Sequence, residues 1–221
     1  MWKKLTGLGM LGVGLYVLHV VLGGFLWKGY DHLMQPISDL TASGAPDKDM
    51  LGVITLLYGL LSIAAVISAF FYTRGHVPKI ASAGLLVFLV MHLVSISYNW
   101  FPQDLPGAEP TFVGTMHLVV TFLIIPLTIL APILIGVGFR KVDGLRRFGL
   151  YSIITGVVIF IAGGAAAMFF AQKLPYFGLV ERVNIGTLQL WTFLLSLKLF
   201  SNKLELEQQE WAASGREGDI A

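Results

Sequence analysis

Six long apolar runs follow one another along the chain, with short polar segments between them. They predict spans over about Leu5 to Trp27, Leu51 to Tyr72, Ile80 to Tyr98, Thr111 to Phe139, Phe148 to Ala171 and Gly178 to Phe200. Roughly 20 apolar residues cross the hydrocarbon layer of a bilayer, so each run is long enough to span one. The fold class that follows is all-α: a polytopic membrane bundle of six transmembrane helices over residues 1–201, with a polar, glutamate-rich tail over 202–221. Pro126 and Pro132 remove backbone donors inside the fourth run and predict a kink there. The fifth run carries almost no polar side chains but holds Gly156, Gly163, Gly164 and Ala165 to Ala167. Small residues of this kind let helix backbones approach closely, so this run reads as a packing helix.

Composition agrees. Of 221 residues, 56% are hydrophobic and 13% charged, and a soluble domain of that make-up would expose too much apolar surface. The absence of cysteine excludes disulfides, thiolate metal sites and cysteine catalysis. Met1 to Leu26 has no obvious small-residue cleavage site and reads as a retained first helix rather than a signal peptide.

Charge then orients the bundle. Lys3, Lys4, Arg74, Lys79, Arg140, Lys141, Arg146, Arg147, Lys198, Lys203 and Arg216 fall on one side of the six-span arrangement, and Lys28, Lys48, Lys173 and Arg182 on the other. Eleven against four is the asymmetry expected when both termini lie in the cytoplasm, here at the cell membrane. The basic residues act as topology signals, so the net charge of +2 gives no reason to expect a nucleic-acid partner. Trp27, Tyr98, Trp100, Tyr176 and Phe177 lie at the expected outer boundaries as an interfacial aromatic belt.

The polar residues inside the runs share faces at helical spacing. Tyr16, His19 and Gly23 line up in the first run, Thr55, Tyr58 and Ser62 in the second, and His92, Ser95 and Asn99 in the third. His117, Thr121 and Thr128 do so in the fourth, and Glu181, Asn184 and Trp191 in the sixth, with Arg182 adjacent. At a rise of 1.5 Å per residue, His19 and His92 sit roughly 12 Å below the outer boundary and His117 roughly 8 Å below it. Ionisable groups at such depths face the bundle interior and often mark function. The plainer alternative is that each histidine hydrogen-bonds one helix to another. Asp39 and Asp104 in the outer loops have local readings too, as a helix cap and a turn former.

The segments Ile37-Ser38-Asp39-Leu40 and Phe101-Pro102-Gln103-Asp104, His117 opening the fourth span, and Gly178-Leu179-Val180-Glu181-Arg182 opening the sixth together resemble a bacterial multipass family catalogued as a domain of unknown function. The resemblance implies a six-helix membrane protein and no established activity, and it picks out Ser38, Asp39, Asp104, His117, Glu181 and Arg182. A weaker similarity is to the membrane hydrolase superfamily that includes alkaline ceramidases, which set histidines, an aspartate and a serine around zinc. His92, His117, Asp39 or Asp104, and Ser38 or Ser95 would be the counterparts. The chain departs from that pattern in having six spans rather than seven, and in lacking histidines one turn apart in its last helix.

Four functions compete. The favoured expectation is an outward-facing polar pocket that binds or moves a small amphiphilic or lipidic ligand, lined by His19, His92, Asn99, His117 and Glu181, with Arg182 taking any anionic group. A zinc-dependent lipid hydrolase would use His92, His117 and Asp39 or Asp104 as ligands, with Glu181 or Asp104 as catalytic base. A haem-binding electron carrier would use His92 and His117 axially. A structural or accessory subunit, or a homo-oligomer in membrane lipid, would use the polar stripes only as interhelical contacts.

Overall fold

The computed structural model describes residues 1–201, so the expected tail over 202–221 lies outside the described residues. The helices are α1 (Trp2–Leu5), α2 (Leu8–Leu26), α3 (Lys48–Thr73), α4 (Lys79–Ser95), α5 (Phe112–Phe139), α6 (Arg146–Ala171) and α7 (Phe177–Ser201). Two 3-10 turns, Ile37–Thr41 and Ile96–Asn99, complete the regular structure, and the second continues α4. Counting α1 with α2, and α4 with its extension, six helices among the described residues are long and apolar enough to cross a membrane.

From α2 to α7 each helix packs on the next, and α7 returns to pack on α2, which closes a ring. The alternation puts the α2–α3, α4–α5 and α6–α7 connections at one end, called the loop end below. The opposite, basic end carries Lys3 and Lys4, the α3–α4 turn and the α5–α6 turn with Arg140 and Lys141. Large side chains such as Phe25, Phe122 and Phe160 point outward and are exposed. Water would penalise that surface by about 25 cal/mol per Å², and hydrocarbon does not.

The core forms where the ring is tightest, around Leu85, Phe88, Ile135, Phe139, Trp191, Leu195 and Leu199. Trp191 of α7 is fully buried and donates its indole N–H to the Ser152 hydroxyl of α6 at 2.9 Å. Its ring meets Phe88 of α4 edge-on, with centroids 5.1 Å apart. One side chain thereby joins three helices and satisfies its own polar atom.

Close approach at the α5–α6 crossing explains two glycines. A Cβ on Gly149 would lie 2.6 Å from the Arg140 nitrogen, and one on Gly136 would lie 2.6 Å from the Gly149 oxygen. Gly156 also faces α5, whereas Gly164 faces open space and Gly163 meets only the Asn184 side chain, at 3.7 Å. The packing role expected of the fifth run therefore falls on its first half. Helix α5 remains one helix from Phe112 to Phe139 through Pro126 and Pro132.

Candidate functional site

The loop end is closed by residues 30–43, which fold back into the mouth of the ring as a plug. Ile37, Asp39, Leu40 and Ala42 are buried, the last three with no exposed surface. Local chemistry shapes the segment. Asp31 accepts from the Leu33 and Met34 amides at 2.8 and 3.2 Å, a turn built by a short acidic side chain. Pro36 is extended and delivers the chain into the 3-10 turn. Leu40 then packs with Tyr30, Ile37 and Leu51 over Tyr16, Val20, Ile54 and Ile185. Gly23 of α2 makes room for it, since a Cβ there would stand 3.1 Å from Leu40 and 3.0 Å from Leu51.

Helix α7 grips the plug with its first two turns. The first N–H groups of a helix have no partner within it. Here Gly178 N–H donates to the Met34 carbonyl at 3.2 Å and Leu179 N–H to the Leu33 carbonyl at 2.9 Å. A Cβ on Gly178 would collide with the Gln35 carbonyl, so glycine is needed where the loop lies on the helix. Arg182 donates through Nη1 to the Gln35 and Gly178 carbonyls at 2.7 and 3.0 Å. Its Nη2 donates to the Tyr30 hydroxyl at 2.6 Å and to His32 Nδ1 at 3.2 Å. The guanidinium carbon also lies 5.6 Å from the centre of the Tyr30 ring. Tyr30 passes the contact on by donating to the Pro36 carbonyl at 2.6 Å. Glu181 accepts from the Ile37 amide at 2.5 Å and from the Ser38 hydroxyl at 3.5 Å.

The second outer loop holds the other flank. Asp39 accepts from Gln103 Nε2 and, at 3.5 Å, from Gln35 Nε2. Ser43 N–H donates to the Gln103 carbonyl at 2.8 Å. Burial raises the Asp39 carboxyl from 3.8 to about 6, against the lowering pull of the Gln35 and Gln103 hydrogen bonds and the Arg182 charge. Burial also pushes the Tyr30 hydroxyl up to about 12, although Arg182 favours its ionised form. His32 is lowered by burial and then by Arg182.

The remaining expected site residues separate into two groups. On the α4–α5 side, Asp104 accepts from the Thr111 amide and hydroxyl, both at 2.8 Å, and Thr111 caps α5 by accepting from Gly114 N–H at 3.0 Å. Asp104 thus serves the α5 N-terminus. His117 hydrogen-bonds through Nδ1 with the Phe101 carbonyl at 2.9 Å and stacks obliquely on Tyr98 at 4.6 Å. Asn99 accepts from the Thr55 hydroxyl at 3.2 Å, and Ser95 donates to the His92 carbonyl at 3.0 Å.

The second group lies under the plug. An aromatic layer crosses from α2 to α4, with centroid separations of 5.7 Å for His19–Tyr16, 5.0 Å for Tyr16–Tyr58 and 6.0 Å for Tyr58–His92. Gln189 of α7 donates to the Tyr58 hydroxyl at 2.7 Å. His19 and His92 are 2% and 1% exposed, and among the described residues neither ring nitrogen of either one has a hydrogen-bond partner. Gln189 Oε1 and Asn184 Oδ1 are orphaned in the same way. Each such group costs about 1–3 kcal/mol when left unpaired. Deeper still, a cavity of ≈ 10 Å³ among Thr6, Ser62, Phe88, Thr192 and Ser196 is about the size of one water.

The structure therefore brings Ser38, Asp39, Glu181 and Arg182 together, places His19 and His92 one layer below, and leaves Asn99, Asp104 and His117 to one side. The mouth is covered rather than open, and the Arg182 Nη groups are engaged by the plug and by Gly178, whereas its buried Nε has no hydrogen-bond partner among the described residues. Among the described residues no three His, Asp or Glu side chains converge as metal ligands. The two histidines of the haem reading have separate neighbours, His92 against Phe88 and Tyr58, and His117 against Tyr98. Tyr30, Gln35 and Gln103 are working parts that the helical-spacing argument missed. Gln103 stands inside the Phe-Pro-Gln-Asp segment, and Gln35 precedes the proline that leads into the 3-10 turn.

A family model described as "Protein of unknown function (DUF998)" matches residues 10–198. Comparison with curated proteins and with solved structures gives no match.

Proposed function

The chain belongs to this family of unknown function, and we propose that it is a membrane protein whose plug-covered polar chamber binds a small amphiphilic or lipidic ligand and, by releasing the plug, moves it. The observation that carries this reading is the pair His19 and His92, buried beneath the plug with all four ring nitrogens unpartnered. A folded interior pairs its buried polar groups almost without exception, and orphaned ones ask for a partner from outside the chain. The combination of aromatic rings with a few polar groups in this layer is the composition that small-molecule sites favour. Residues 30–43 cover this layer, packed through Ile37 and Leu40 and tied to α7 by the hydrogen bonds of Glu181 and Arg182.

The distribution of basic residues supports a topology with the basic end in the cytoplasm of a cell membrane and the plug on the outer side. The chamber then lies in the outer leaflet, within reach of membrane lipid. Native mass spectrometry of the protein in mild detergent tests the reading. Wild type retains an amphiphile of defined mass at up to one per chain, and a His19→Phe/His92→Phe double variant loses it. Equal retention by both would remove the chamber from the account.

A further inference from the structure

Helices α3 and α7 share a polar register. Tyr58 and Ser62 lie one turn apart on α3, and Gln189, Thr192 and Ser196 follow one another at helical spacing on α7. Both helices run from the loop end toward the basic end. The upper rung between them is direct, since Gln189 donates to the Tyr58 hydroxyl at 2.7 Å. The lower rung has no direct bond. Ser62 is 1% exposed, and its hydroxyl has no hydrogen-bond partner among the described residues. With Thr192 and Ser196 it lines the cavity of ≈ 10 Å³.

The lining decides what this cavity takes. Thr6 donates to the Lys3 carbonyl at 2.7 Å, and Thr192 donates to the Leu188 carbonyl at 2.9 Å. Each of these hydroxyls has used its one proton and keeps lone pairs that can accept. Ser62 still has a proton to give. The occupant must therefore accept from one side and donate to the other, as water does. Size excludes a larger molecule, because the volume is about that of one water. Charge excludes a cation. No acidic residue lines the cavity, and an ion there would stand in a low-dielectric interior without a counter-charge. Cavities that stay dry are apolar, whereas four hydroxyl side chains line this one. Gly9 of α2 seals one side, lying so close to α7 that a Cβ there would collide with the Ser196 hydroxyl.

We propose that this cavity is a resident water site. One water accepts from Ser62 of α3 and donates across to the Thr192 hydroxyl of α7, with Thr6 and Ser196 as further partners. It supplies the partner that Ser62 lacks and completes the second rung between the two helices, one turn below the Tyr58–Gln189 bond. The site is separate from the layer beneath the plug and does not depend on a ligand there.

An experimental density map of the wild type, at a resolution that shows ordered water, tests the site together with thermal unfolding in detergent. The expected result is a single peak within about 2.5–3.0 Å of both Ser62 Oγ and Thr192 Oγ1. Ser62→Ala lowers Tm by about 2–4 °C, the effect of losing roughly one net hydrogen bond in a chain of this size. Exchanging sodium for choline in the buffer leaves the wild-type Tm unchanged. Three results overturn the proposal. A map with no peak, or with Ser62 bonded directly to Tyr58 or another protein group, leaves the water no role. A Ser62→Ala variant as stable as wild type marks a dry cavity beside an unpaired hydroxyl. A Tm that rises specifically with sodium assigns the cavity to a cation. Where Ser62→Ala fails to fold, the wild-type map decides alone.

Discussion

The Arg182 guanidinium donates a 2.7 Å hydrogen bond to the carbonyl of Gln35, 147 residues earlier in the chain. With the Tyr30 and His32 contacts it makes one side chain the clasp between the last helix and the plug. Charge-assisted hydrogen bonds of this kind contribute about 1.5–3 kcal/mol each. The chain has no cysteine, so a single Ala42→Cys at a fully buried plug position reports plug release through its maleimide labelling rate. Arg182→Ala raises that rate about tenfold or more. Arg182→Lys fails to restore it, because an ammonium cannot hold several separate acceptors in the planar fork. An unchanged rate in Arg182→Ala would show that the clasp lies elsewhere.

Plug docking depends on pH through Asp39. Its carboxyl titrates at about 6 when docked and near the ordinary 3.8 when released. The docked state therefore holds the proton over the window between those values, and its advantage is lost as pH rises through about 6. His32 works in the opposite sense, since its lowered value favours docking at higher pH. In a His32→Gln background, docking measured by Ala42→Cys labelling, normalised to an exposed cysteine, weakens about tenfold from pH 5 to pH 7. Asp39→Asn flattens that profile. A profile that survives Asp39→Asn would assign the pH response to another group.

At the α5–α6 crossing, Gly149→Ala places a methyl 2.6 Å from the Arg140 nitrogen and forces two backbones apart. Overpacking of this kind costs about 1–3 kcal/mol, several degrees in Tm for a chain of this size. Gly164→Ala, which meets open space, leaves thermal unfolding in detergent unchanged or slightly raised. Equal effects of the two substitutions would contradict the close approach.

His92→Phe separates binding from stability. The substitution removes two unpartnered buried nitrogens and keeps a ring between Phe88 and Tyr58. Thermal stability of ligand-free protein stays level or rises, while amphiphile retention falls. A large loss of stability would show that the His92 nitrogens hold the helices together.

The six helices were legible because a lipid-facing helix is apolar on nearly every side, a signal carried by each run without reference to the others. Glu181 and Arg182 were legible as charges just inside a span, where an unpaired position is expensive. Their work as a clasp was hidden, because Arg182 acts on backbone carbonyls and on Tyr30, groups that leave no helical spacing pattern. Asp104, expected locally as a turn former, instead accepts from the amide and hydroxyl of Thr111, the residue that caps α5. The covered mouth was hidden for a related reason. Leu40 and Ala42 read as loop residues, and only the packing of Leu40 against Gly23 and Leu51 shows the segment buried.

The most direct measurement is an experimental density map of the protein in lipid nanodiscs at a resolution that shows bound lipid. The account predicts non-protein density beneath residues 30–43, within hydrogen-bond distance of His19 or His92 and beside Tyr16 and Tyr58. A map in which these ring nitrogens bond directly to other protein groups, with no density between the helices, would contradict it.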